Sequence, residues 1–240
     1  MATIVIVHGA WGGTWEWRDV ANDLSARGHT VVTPSLAGLG NAAHRLDRSI
    51  GLATHASDVA DAVEVAGLDD IVLAGHSYGG MVITAAASLL ADRIRSLVYV
   101  DAFIPEDGER ESDLLDPEMV SAILTGPAEE VGDGWLVPFP FPDDLEDLTS
   151  EAAERYRSSM HPLATFTDPV RVTDAVRALP SILVRCTDKE PGTDAFERSA
   201  VTARERGWPI IDVHSGHDVQ LLHPREIAQV LHDIAAAPPG

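Results

Sequence analysis

Residues 71–80 read "IVLAGHSYGG". A short run of branched and small apolar residues suits a strand buried on both faces. Residues 80–91 then carry apolar positions at helical spacing. A chain that leaves a strand and enters a helix with no loop between must bend sharply. Side chains two places to either side of the bend would collide, and Gly75 and Gly79 clear that space. The spacing therefore predicts that Ser77 stands on a strained turn, its hydroxyl pushed above the carboxyl edge of a sheet. The first turn of the following helix favours negative charge beside it. An idle serine in a glycine-rich turn is the plainer reading, but strand, bend and helix would then have to coincide by chance.

Working outward, further apolar and β-branched runs lie at 3–7, 30–33, 97–100, 181–184 and 209–213. Helical spacing recurs at 15–27, 52–66, 168–178, 194–206 and 224–236. This alternation predicts an α/β fold, a doubly wound and mostly parallel sheet of about six strands. The whole chain, 1–240, reads as a single domain. One stretch breaks the pattern. From 104 to 167 no strong strand is visible, and Pro138, Pro140 and Pro142 alternate with Val137, Phe139 and Phe141. Long irregular insertions are commonly functional, and aromatic residues need burial, so we expect a cap over a pocket after the fourth strand.

The chain has 240 residues, 45% of them apolar, enough for a sizeable core. Seventeen Lys and Arg against 38 Asp and Glu give a net charge of −21, and Lys189 is the only lysine. Such a surface repels nucleic acid and anionic membranes, so neither is an expected partner. The apolar start, "MATIVIVHGA", is too short for a signal or an anchor, and no other run approaches membrane-spanning length. Cys186 is the one cysteine, which leaves no internal disulfide and favours a cytoplasmic location.

Serine is a weak nucleophile without a base, and the base needs a third group to orient it. In "VHSGHDVQLLHP" at 213–224, His217 falls in the loop after the last strand. His214 lies in or at the end of that strand, and His223 is placed to cap the following helix. The pair His214 and His217 lacks the further ligands of a familiar metal spacing, so no metal is expected. For the acid, "SILVRCTDKE" places Asp188 just beyond a strand, and "LVYVDAFIP" offers Asp101 as a second candidate. With Asp188 the chain order is Ser77, Asp188, His217. Donors for a developing oxyanion are expected from the backbone amides of Tyr78 and of Ala10 in "HGAWGG", where Gly9 lets backbone approach substrate. That loop lacks both G-x-G-x-x-G spacing and a Walker lysine, so no nucleotide cofactor is expected, nor any other. Trp11, Trp135, Phe139, Phe141 and Phe166 are the candidates to line an apolar pocket.

Three stretches carry a family resemblance: "VIVHGAWGGTWEWRDVANDLSARGHTVVTPSLAGLG", "GLDDIVLAGHSYGG" and "VHSGHDVQLLHPREIAQVL". They resemble the α/β-hydrolase superfamily, and within it the small branch of plant methyl-ester hydrolases, methylketone synthases, hydroxynitrile lyases and bacterial esterases. The resemblance implies triad positions for Ser77, Asp188 and His217, and oxyanion positions for Ala10 and Tyr78. Lyases of this branch carry threonine where this chain has Gly9, and lysine where it has Asp218. An aspartate cannot stabilise departing cyanide, so hydrolysis of small apolar carboxylic esters through an acyl-enzyme is the expected activity. Two alternatives remain open: lactone opening or lyase and cyclase chemistry at the same site, and a non-catalytic small-molecule binding protein.

Overall fold

The computed structural model describes residues 1–141, 145–146, 148–189 and 195–237. The first half alternates strictly: β1 (Thr3–Val7), α1 (Arg18–Ala26), β2 (Thr30–Val32), α2 (Leu52–Val65), β3 (Ile71–Ser77), α3 (Gly79–Leu90) and β4 (Ile94–Ala102). An insertion follows, with α4 (Pro117–Val120), α5 (Gly126–Glu130), β5 (Leu136–Pro138), α6 (Ser150–Arg157), β6 (Met160–Pro162) and α7 (Ala164–Thr167). The chain returns through α8 (Asp174–Arg177) to β7 (Ser181–Cys186), α9 (Glu197–Glu205), β8 (Ile210–Val213), α10 (Val219–Leu222) and α11 (Pro224–Ala236).

Six strands form one parallel sheet in the order β2-β1-β3-β4-β7-β8. Alternate residues of each strand feed opposite faces. Val5, Val7, Leu73, Leu97, Tyr99 and Leu183 pack with α2, α3, α9 and the insertion. Ile4, Ile6, Val72, Val98, Val100 and Val184 pack with α1 and α11. Both faces are covered, which is why the strands read as continuous apolar runs. β1 connects to β2 on one side, and the chain then crosses over to β3 on the other. The carboxyl ends beside such a reversal are where open α/β sheets form their clefts. No helix among the described residues is long and apolar enough to cross a membrane.

Two expectations need correcting. The insertion does contain strands: β5 and β6 pair antiparallel, with Val137 opposite His161. Each is only three residues long and ends in proline, so neither shows a strand pattern; Pro142 lies outside the described residues. The helix expected over 168–178 shrinks to Asp174–Arg177. Pro169 disfavours a helical Asp168. The following backbone instead bonds to the loop after β4, through Val170 N to Glu109 O and Gly108 N to Val170 O, both 2.8 Å. Thr173 then caps the short helix from its side chain.

Candidate active site

Ser77 is the last residue of β3, with φ 55°, in the left-handed region that non-glycine residues rarely occupy. A Cβ on Gly75 would lie 2.4 Å from the Gly79 carbonyl oxygen, and one on Gly79 would lie 2.8 Å from that of Val7. The glycines are thus steric requirements of the bend. Gly9 is a close neighbour: a Cβ on it would stand 3.1 Å from His76 Nδ1 and 3.2 Å from Ser77 Cβ. The loop after β1 therefore lies directly against the serine.

His217 follows β8 and lines the same cleft as Ser77. Its Nδ1 donates to Asp101 Oδ2 at 2.7 Å, so the neutral ring keeps its lone pair on Nε2. Its ring stacks on Phe196, with centroids 5.0 Å apart and planes at 13°. His76 lies 4.5 Å away on centroids and donates from Nε2 to the His217 carbonyl at 3.0 Å. Burial and the neighbouring His217 push the His76 ring down to about 3, which keeps it neutral. For His217 itself, burial lowers the pKa, but the hydrogen bond and charge of Asp101 outweigh that and leave it raised above 6.5. No hydrogen bond joins Ser77 to His217 among the described residues; such contacts are often loose before substrate arrives.

The carboxylate beside His217 is a correction. His217 meets Asp101 at the end of β4, not Asp188 beyond β7. Asp101 has φ 43° and a fully buried side chain. Its Oδ1 accepts from the Cys186 amide at 3.2 Å and from Lys189 Nζ at 2.8 Å. Burial alone would raise its pKa, but the donors and charges of His217 and Lys189 win and hold the carboxyl below its ordinary range. Asp188 is exposed, and its amide donates to the Ser215 carbonyl at 3.0 Å. His214 and His223 are exposed too, and His223 makes no side-chain cap bond to α11.

Gly9, Ala10, Trp11, Phe139 and Phe141 line the cleft with the serine and histidine, and His76, Tyr156 and Asp218 complete it. Two expected lining residues do not reach it. Trp135 packs under the Arg48 guanidinium, which stands 5.1 Å from its ring centroid. Phe166 is fully buried behind the cleft, 5.3 Å from Trp11 and 5.6 Å from Tyr78 on centroids. The amides of Ala10 and Tyr78 have no protein acceptor among the described residues. The polar wall was not foreseen. The Tyr156 hydroxyl donates to Asp218 Oδ1 at 3.3 Å, and Gln220 Nε2 donates to the same oxygen at 3.2 Å. Glu16 is buried behind them, and burial together with Asp218 raises its carboxyl well above the ordinary value. An aspartate directly after the expected base was the one sequence signal for this wall. No cluster of three or more His, Cys, Asp or Glu side chains among the described residues is arranged to hold a metal ion.

Residues 4–230 match the alpha/beta hydrolase family. The carbendazim hydrolyzing esterase of Nocardioides sp. (strain SG-4G) is 38% identical over 242 residues, covering 96% of this chain and 98% of that protein. Salicylic acid-binding protein 2 of Nicotiana tabacum is 30% identical over 147 residues, 61% of this chain and 54% of that one. Among solved structures, an extracellular alpha/beta-hydrolase from a Paenibacillus species superposes with TM-score 0.82 at 23% identity, covering 99% of this chain and 100% of that one. Elbow, sheet order and matched span agree: the chain belongs to the alpha/beta hydrolase family.

Proposed function

We propose that the protein is a serine esterase acting on small, apolar carboxylic esters. The observation that carries this reading is the imidazole of His217, locked through Nδ1 onto a buried carboxylate and sharing one cleft with a serine on a strained elbow. Ser77 Oγ attacks the ester carbonyl while His217 Nε2 takes its proton. Asp101 keeps the ring in that tautomer and stabilises the imidazolium. The carbonyl oxygen becomes an oxyanion, which the Ala10 and Tyr78 amides receive; each such donor is worth about 3 kcal/mol at the transition state. The intermediate collapses as the imidazolium protonates the departing alcohol. Water then attacks the acyl-enzyme with the same histidine as base, releasing the acid and restoring Ser77.

Trp11, Phe139 and Phe141 support an apolar substrate, since they form much of the cleft wall. The esterase and methylesterase relatives support ester chemistry. The single buried cysteine supports a cytoplasmic setting. Labelling with a fluorophosphonate, followed by mapping of the modified residue, tests the nucleophile. We expect the label on Ser77, and a loss of at least about a thousandfold in p-nitrophenyl butyrate turnover in Ser77→Ala. A label elsewhere, or equal turnover by the variant, overturns the proposal.

A further inference from the structure

Trp11 follows the proposed oxyanion donor Ala10 and holds φ 57°. That left-handed backbone costs a residue other than glycine about 1–2 kcal/mol, so the surroundings must impose it. Both N–H donors of Trp11 are held by one strand pair of the insertion. Its amide donates to His161 Nδ1 at 3.1 Å, and its indole Nε1 donates to the Val137 carbonyl at 2.8 Å. Val137 and His161 face each other across the antiparallel β5–β6 pair, so the two anchors form a single clamp. Phe166 packs on the indole.

Because His161 Nδ1 accepts, the ring proton must sit on Nε2. His161 is fully buried, and burial, with His55 and His8 nearby, keeps its pKa well below the ordinary value. The ring therefore stays neutral and keeps its acceptor. His55 is fixed in turn: its Nε2 donates to the Ala37 carbonyl at 2.9 Å, while its Nδ1 accepts from the Tyr78 hydroxyl at 2.8 Å. Tyr78, whose amide is the other proposed oxyanion donor, packs on His161 with centroids 5.1 Å apart.

We propose that His161 is a positioning residue for the oxyanion loop: by accepting the Trp11 amide it turns that N–H away from the cleft and leaves the Ala10 N–H facing it. The inference rests on the serine-esterase reading above. It makes the β5–β6 pair part of the catalytic apparatus, because lifting the pair would release the loop.

His161→Phe keeps a ring of similar shape and removes the acceptor. His161→Asn places an amide oxygen near the position of Nδ1. We expect kcat of His161→Phe to fall about tenfold to a hundredfold, short of losing a donor outright, with KM changed by less than about threefold. Inhibition by a trifluoromethyl ketone, which forms a tetrahedral adduct, should weaken by the same factor as kcat/KM. His161→Asn should recover to within about threefold of wild type. The proposal is overturned if kcat of His161→Phe stays within about twofold of wild type, if Asn is impaired as much as Phe, or if the loss lies only in KM. Should His161→Phe fail to fold, His161→Met set against His161→Asn makes the same comparison. Failure of wild type to label at Ser77 would sink the esterase reading; normal labelling with an unimpaired His161→Phe would sink only this one.

Discussion

The carboxyl ends of β4 and β7 lie side by side in the sheet, and each has an aspartate at or just past it, yet only one meets an imidazole. Asp101 turns through a left-handed backbone and buries its carboxylate under three donors. Asp188 continues the strand's path, gives its amide to Ser215 and leaves its side chain in water. Desolvating a carboxylate is costly unless charged donors surround it, and here donors from β7, from the turn after it and from the loop after β8 converge on Asp101. Lys189, one residue beyond Asp188, reaches back to serve its neighbour's acid. Of these two strand ends, the one whose aspartate meets His217 is also the one whose carboxylate the Lys189 ammonium contacts.

The sharpest break of this comparison is Asp101→Asn. An amide cannot stabilise the imidazolium, and kcat should fall about a thousandfold to ten-thousandfold in a steady-state ester assay. A loss of less than about tenfold would return the acid's role to another carboxyl. The pH profile is subtler. His217 must be neutral to act as base, and Asp101 raises its pKa, so activity is lost as pH falls through a midpoint above 6.5. Asp101→Asn should move that midpoint downward in log kcat/KM plots. A wild-type midpoint below 6.5 would contradict the pairing. The raised pKa of His217 contributes stability that is fully present at and below 6.5 and fades as pH rises through its folded-state value, whereas the lowered pKa of Asp101 contributes stability that is lost as pH falls through its own. Asp188→Asn is the smallest effect: an exposed carboxylate outside the cleft should change kcat/KM by less than about twofold.

Much of this was legible in the sequence, for a reason visible in the coordinates. The elbow is a local steric problem, and Gly75 and Gly79 answer it within five residues. His217 followed from its place after the last strand. The carboxylate that meets it did not, because both aspartates fall at or just past a strand's end, and their difference lies in a backbone angle and the reach of one lysine. Trp135 and Phe139 stand four residues apart in one aromatic stretch, yet only Phe139 faces the cleft. The sequence does not separate them, because strands of three residues ending in proline leave no periodic trace.

Among the described residues, five that are not glycine hold a left-handed backbone, and three of them are Trp11, Ser77 and Asp101. Glycine would sit at these places with less strain. Breeding this protein solely for heat tolerance would thus put pressure on the proposed oxyanion loop, nucleophile and acid, so any such campaign needs a turnover screen beside its melting screen.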